Sequence, residues 1–218
     1  EKSGVFKPGV LAVCGEDKPQ AQQVIEQNVR AKRIPFYYSY LPEYKKVGKK
    51  YWFDSMYSIL VFDQPFYQMK NFILACDTLY HLGFRLRYNT LQNAIDHFVF
   101  LGRCMILRKR PLLVVDGAHN LDGINALVTS IKTWQGDIYF SVLKEKDAKH
   151  MLDVLTSLQG QIHLVNFSSD RLYPLETLGF EVLSMEEMEK RLQMTHQRAL
   201  VCGSLYFVGE VLKWFNSK

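Results

Sequence analysis

The sequence predicts an α/β fold: a mostly parallel sheet with helices on both faces, filling the carboxyl-terminal half behind a less regular amino-terminal segment. Three observations carry this expectation. From Pro111 onward, short apolar runs alternate with amphipathic stretches every roughly 20 to 30 residues, the rhythm of a parallel sheet built by helical crossovers. The run Pro111–Val115 breaks abruptly into Asp116-Gly117-Ala118-His119-Asn120, as a buried strand does at its carboxyl end. The run Arg198–Cys202 breaks into Gly203-Ser204 in the same way.

Taken in order, Val10–Val13 reads as a short strand. Lys18–Lys32 reads as a helix with an apolar stripe at Ala21, Val24, Ile25 and Val29. Pro35–Tyr38 fits a second strand, and Tyr51–Phe62, rich in β-formers, fits a hairpin. Met69–Leu82 should be a helix stopped by Gly83, and Thr90–Phe98 another, capped by Thr90. The dense aromatics of this region, from Tyr37 to Tyr67, read as core and sheet face. Beyond Pro111 the elements are clearer. Asn120 caps a helix over Leu121–Trp134. Asp137–Val142 is a strand, Asp147–Leu158 a helix and Gln161–Val165 a strand. Met185–Met194 is a helix with acidic residues early, Arg198–Cys202 a strand and Leu205–Trp214 a closing helix.

Composition bounds the function. At 218 residues the chain is one large domain or two small ones, and 48% hydrophobic residues are too many for disorder. No apolar stretch approaches the roughly 20 residues that cross a bilayer. The net charge of +5 is modest, and its densest cluster, Lys45, Lys46, Lys49 and Lys50, reads as a solvated loop rather than a nucleic-acid surface. Cys14, Cys76, Cys104 and Cys202 form no CxxC and read as reduced thiols, with neither zinc nor a disulfide framework. No secretory signal opens the sequence. A monomeric, cytoplasmic protein that binds neither nucleic acid nor membrane is expected.

The candidate site follows from the fold class, because open α/β sheets bind ligands at the carboxyl ends of their strands. Asp116, His119 and Asn120 crowd one such end, Gly203-Ser204 another, and the charged stretch Lys144–Asp147 a third. Three loops on one edge predict a crevice. Catalytic triads, HExxH and GxGxxG are all missing. Gly48-Lys49-Lys50 is the nearest approach to the phosphate loop GxxxxGK[ST], but it lacks the first glycine and the hydroxyl residue.

Five motifs, in order, resemble those of the folylpolyglutamate synthases, also called dihydrofolate synthases, of the Mur-ligase superfamily. They are Glu1-Lys2-Ser3-Gly4-Val5-Phe6-Lys7, Gln68-x-x-Asn71 with Ala75, Gly102-Arg103, Asp116-Gly117-Ala118-His119-Asn120 and Cys202-Gly203-Ser204-Leu205-Tyr206. Together they span nearly the whole chain. The resemblance implies that residues 1–100 are an incomplete remainder of a P-loop ATPase domain, without its P-loop. Residues 101–218 would be the Rossmann-like glutamate-ligase domain.

It further implies a ligase that uses ATP and Mg2+ to add L-glutamate to folate, or to dihydropteroate, or to both, through an acyl phosphate. The substrate-binding and phosphate-binding parts would lie in an amino-terminal half of the same protein, a partner missing from this chain. The alternative is a non-catalytic remnant serving as a Rossmann-like binding module. Residue by residue, the resemblance implies that Asn71 meets adenine, Arg103 the ATP phosphates and Asp116 the ribose. His119 and Ser204 would orient the incoming glutamate, with Arg103 and His119 catalytic. Lys2 would support the metal indirectly, if carbamylated. The sequence departs from the family at Met105, where an acidic residue is common, at Ser141, where the loop usually opens with Gly, and at Glu145, where Asp is common.

Overall fold

The computed structural model describes residues 2–48, 50–55, 58–62 and 65–217, with backbone alone for Lys2, Ser3, Asp54, Ser55 and Ser58. The chain divides into two compact units, Glu1–Phe98 and Val99–Lys218.

In the first unit, β1 (Ala12–Cys14) and β2 (Phe36–Tyr38) pair in parallel, joined by α1 (Pro19–Ala31). Three antiparallel strands follow: β3 (Tyr44–Val47), β4 (Lys50–Ser55) and β5 (Ser58–Phe62). The expected hairpin is β4–β5; its tip, residues 56 and 57, lies outside the described residues. Strand β3 was not expected. Lys45 and Lys46 belong to it rather than to a loop, and Lys49 lies outside the described residues. Lysines suit an edge strand, where they face water and block pairing with another chain. On the other edge, the Gln92 side chain accepts from Val61 N (3.0 Å) and donates to Val61 O (2.9 Å), satisfying the outer side of β5.

One face of this sheet packs Phe53, Leu60 and Phe62 on Met69 and Ile73 of α2 (Phe66–His81) and Leu91 and Ile95 of α3 (Tyr88–His97). The expected cap at Thr90 is wrong: α3 starts two residues earlier, after Arg87, with no side-chain cap. Leu91 and Ile95, one turn apart, both face the core.

The second unit is a six-stranded sheet in the order β10-β9-β8-β11-β7-β6. Its strands are β6 (Met105–Lys109), β7 (Leu112–Val115), β8 (Asp137–Phe140), β9 (Ile162–Asn166), β10 (Glu181–Ser184) and β11 (Ala199–Cys202). All neighbours are parallel except β6 against β7. Helices α4 (Leu121–Ser130), α5 (Ala148–Leu155), α6 (Met185–Met194) and α7 (Leu205–Asn216) complete the unit.

Side chains alternate across a strand, so each strand feeds two cores. Val114, Ile138, Phe140, Leu164 and Leu200 pack with Ile124 and Leu127 of α4 and Met151 and Leu155 of α5. Leu113, Val115, Tyr139, Val165 and Val201 pack with Met188 and Leu192 of α6 and Phe207, Val208 and Val211 of α7. Each such side chain, fully withdrawn from water, stabilises the fold by roughly 1.5–3 kcal/mol. This is the predicted sheet with helices on both faces. Strands β6 and β10 were not anticipated: both are edge strands with exposed positions, so neither reads as a buried run.

Candidate functional site

The topology gathers the predicted loops. From β7 the chain crosses to β8, steps outward through β9 to β10, and returns so that β11 inserts between β8 and β7. Strand order reverses there, and the carboxyl ends of β7, β11 and β8 lie side by side at the switch point. Backbone bonds lock their loops together: Asp116 N donates to Val201 O (2.9 Å), Gly203 N to Ala118 O (3.0 Å) and Ser141 N to Cys202 O (3.2 Å). Gly203 sits at φ 105°, and a Cβ there would lie 2.4 Å from Ser141 O. Only glycine lets these loops close so tightly.

A pocket of about 190 Å³ opens at this edge, with His119, Glu145, Lys146, Arg171, Ser204 and Tyr206 in its lining. Nδ1 of His119 lies 2.9 Å from Gly117 O. A carbonyl only accepts, so Nδ1 carries the hydrogen and Nε2 is the acceptor of the neutral ring. Ser204 is buried and caps α7, its Oγ accepting from Tyr206 N at 3.2 Å. The Lys146 backbone is held by Leu143 O (3.0 Å), while its ammonium makes no hydrogen bond or ion pair among the described residues. Asp147 caps α5 and pairs with Nδ1 of His150 at 2.6 Å. Glu145 pairs with Arg171, and its own backbone N–H, then the guanidinium, hold its carboxyl below the ordinary value.

Arg103 is bracketed by contacts to the loop after β7. Gly117 N donates to Gly102 O (2.6 Å), and Cys104 N donates to Oδ2 of Asp116 (2.8 Å). Gly102 and Cys104 both have left-handed backbone, at φ 71° and 46°. The guanidinium itself makes no hydrogen bond or ion pair among the described residues. The backbone here is therefore pinned to the second unit, and glycine serves a tight turn rather than a loose hinge.

Asp116 braces the turn after β7. Its Oδ1 accepts from Ala118 N at 2.7 Å, its Oδ2 from Cys104 N, and the residue is 2% exposed. A carboxylate that accepts two backbone N–H groups acts as a strut between the two loops. Burial, then the charge of Asp116, pushes the Cys104 thiol up to about 12.

The remaining predicted residues lie in the first unit. Asn71, exposed on α2, donates its amide to Oε1 of Gln68 at 3.0 Å, which leaves its oxygen and one N–H open to a base edge. Lys2 falls in a single 3-10 turn, Lys2–Val5, and its side chain lies outside the described residues. Among the described residues no group of three or more His, Cys, Asp or Glu could hold a metal ion. No described helix is long and apolar enough to cross a membrane. Sequence reasoning missed Arg171; the signal was there, since Asn166–Arg171 is a polar break after a strand like the other three.

This is a doubly wound α/β domain with a polar pocket at its switch point, preceded by a separate α/β unit. The chain is a relative of the folylpolyglutamate synthases and dihydrofolate synthases. No family model matches it. It is 23% identical over 245 aligned positions to the dihydrofolate synthase/folylpolyglutamate synthase of Bacillus subtilis, covering 98% of this chain and 56% of that protein. It is 27% identical over 243 positions to the folylpolyglutamate synthase of Lacticaseibacillus casei, covering 96% and 55%. The structure of E. coli FolC in complex with DHPP and ADP superimposes with a TM-score of 0.80 at 21% identity, covering 100% of this chain and 56% of that one. The chain thus spans about half the length of the relatives it matches.

Proposed function

We propose that this chain is part of an ATP-dependent ligase that joins L-glutamate to a folate or to dihydropteroate through an acyl phosphate. The observation that carries the proposal is the switch-point pocket, where His119, Lys146 and Ser204 converge beside a loop that holds Arg103 in place. Relatives named for this activity support it along nearly the whole chain. In this reading residues 1–100 are the remainder of the nucleotide-binding domain, with Asn71 toward adenine, and residues 101–218 deliver glutamate.

The chemistry follows from the groups present. Phosphorylation of the substrate carboxylate gives it a leaving group. The amine of glutamate attacks the acyl carbon, the C–O bond to phosphorus breaks, and phosphate departs with the bonding pair. Nε2 of His119, the free acceptor of its ring, takes the amine proton. The Arg103 fork, without a partner among the described residues, offers parallel N–H donors to phosphate oxygens, and Lys146 offers charge to a glutamate carboxylate. Asp116 acts here as the strut behind Arg103. Magnesium has no ligand set among the described residues, and no residue of this chain is assigned to it.

Two measurements test this. L-glutamate titrated into the chain should shift the amide resonances of Ala118–Asn120, Lys146 and Gly203–Tyr206; an unchanged spectrum sinks the proposal. The 218 residues contain no GxxxxGK[ST], so the chain alone, given ATP, Mg2+, folate and glutamate, should release no ADP above background, because positioning and electrostatics supply nearly all of phosphoryl-transfer catalysis. Sustained turnover by the chain alone contradicts that division of labour.

A further inference from the structure

The pocket contains a cation that none of the recognised motifs includes. Arg171 stands in the loop after β9, and its backbone is built into the site. Lys144 N donates to Arg171 O at 2.8 Å, Tyr173 N donates to Val142 O at 3.0 Å, and Leu143 and Leu172 form an antiparallel bridge. The same loop accepts Nζ of Lys144 at Asp170 O (2.8 Å), which turns the Lys144 charge to a structural contact. Two cationic side chains therefore line the pocket, Lys146 and Arg171, with Glu145 paired to the second. The Glu145–Arg171 pair is open to water, with side chains 40% and 59% exposed. Exposed pairs of this kind contribute little net stability, so an incoming carboxylate can replace Glu145 at small cost. A guanidinium matches a carboxylate through two parallel N–H bonds, and an ammonium beside it adds charge without a fixed geometry.

We propose that Arg171 is a specificity-determining residue that, with Lys146, holds a carboxylate of the amino-acid substrate, and that Glu145 is the internal placeholder it releases when that substrate binds. This rests on the proposed glutamate pocket and adds to it the group that separates a dicarboxylic amino acid from its amide. A monocarboxylic ligand leaves Arg171 with Glu145. A second carboxylate displaces Glu145 into solvent, where it is readily hydrated.

The test is a set of NMR titrations of the 218-residue chain with L-glutamate and L-glutamine. The wild-type chain should favour glutamate by about tenfold or more, the scale of one charge-assisted bidentate contact. Arg171→Ala should bring glutamate down to the glutamine level and leave glutamine binding within about twofold. Arg171→Gln, which keeps the stem and hydrogen bonding, should behave the same way and guards against an alanine variant that fails to fold. Glu145→Gln should tighten glutamate several-fold, because the competitor is gone.

Equal weakening of both ligands by Arg171→Gln, or none, overturns the assignment while leaving the glutamate pocket standing. Weaker glutamate binding in Glu145→Gln overturns the placeholder role. A wild-type chain that binds neither amino acid overturns the pocket and this inference together.

Discussion

Replacing Asp116 with alanine separates a strut from a ligand-binding carboxylate. The side chain is 2% exposed and accepts two backbone N–H groups, from Ala118 at 2.7 Å and Cys104 at 2.8 Å. Alanine leaves both donors without their acceptor. A hydrogen bond to a charged group contributes about 1.5–3 kcal/mol, so losing both should cost about 3–6 kcal/mol. At roughly 4 °C per kcal/mol for a unit of this size, its thermal midpoint should fall by about 12–24 °C. Asp116→Asn keeps the shape but turns one acceptor into a donor facing another donor, and should lose at least half as much. Differential scanning calorimetry of the chain measures both variants, with the transition of the first unit as an internal control. A loss below about 1 kcal/mol for alanine would refute the strut and favour a purely ligand-binding carboxylate.

Three further outcomes are expected. Arg103→Ala should leave unfolding free energy within about 0.5 kcal/mol of wild type, as surface changes do. In the intact protein it should slow glutamate ligation by on the order of 10²-fold, with little rescue by lysine; normal turnover removes Arg103 from the site. The Glu181 carboxyl is held down at about 2, first by the Arg191 guanidinium and then by the imidazole of buried His163. A depressed carboxylate adds stability that is fully present above its unfolded value of ~4.3 and is lost as pH falls through its folded value. Glu181→Gln should therefore flatten the stability curve between those two values, as read by urea unfolding across that range; an unchanged slope argues that the pair does not form in solution.

Local signals were sufficient where a residue's role is set by its neighbours in the chain. Asn120 accepts from Gly123 N at 2.8 Å and caps α4 as expected, because capping needs only the next turn. Ser204 caps α7 for the same reason. The buried runs of β7, β8 and β11 and the polar breaks after them were visible because a strand covered on both faces must be apolar along its length. Thr90 shows the limit of this reasoning: a good capping residue lies inside α3, which begins after Arg87 with no side-chain cap.

By itself, then, the sequence determined the fold class, four of the six strands of the central sheet, three of the loops at their carboxyl ends and the relatives of this chain, since each is written in periodicity, in a turn or in a short contiguous motif. Tertiary structure alone decided that β11 inserts between β8 and β7, which makes those loops one site. It decided that Asp116 turns inward to an N–H 12 residues away, and that Arg171 reaches Glu145 across 26. The physical reason is common to all three. A hydrogen bond or ion pair is chosen by proximity in space, and residues far apart in the chain become neighbours only once the sheet has set its strand order.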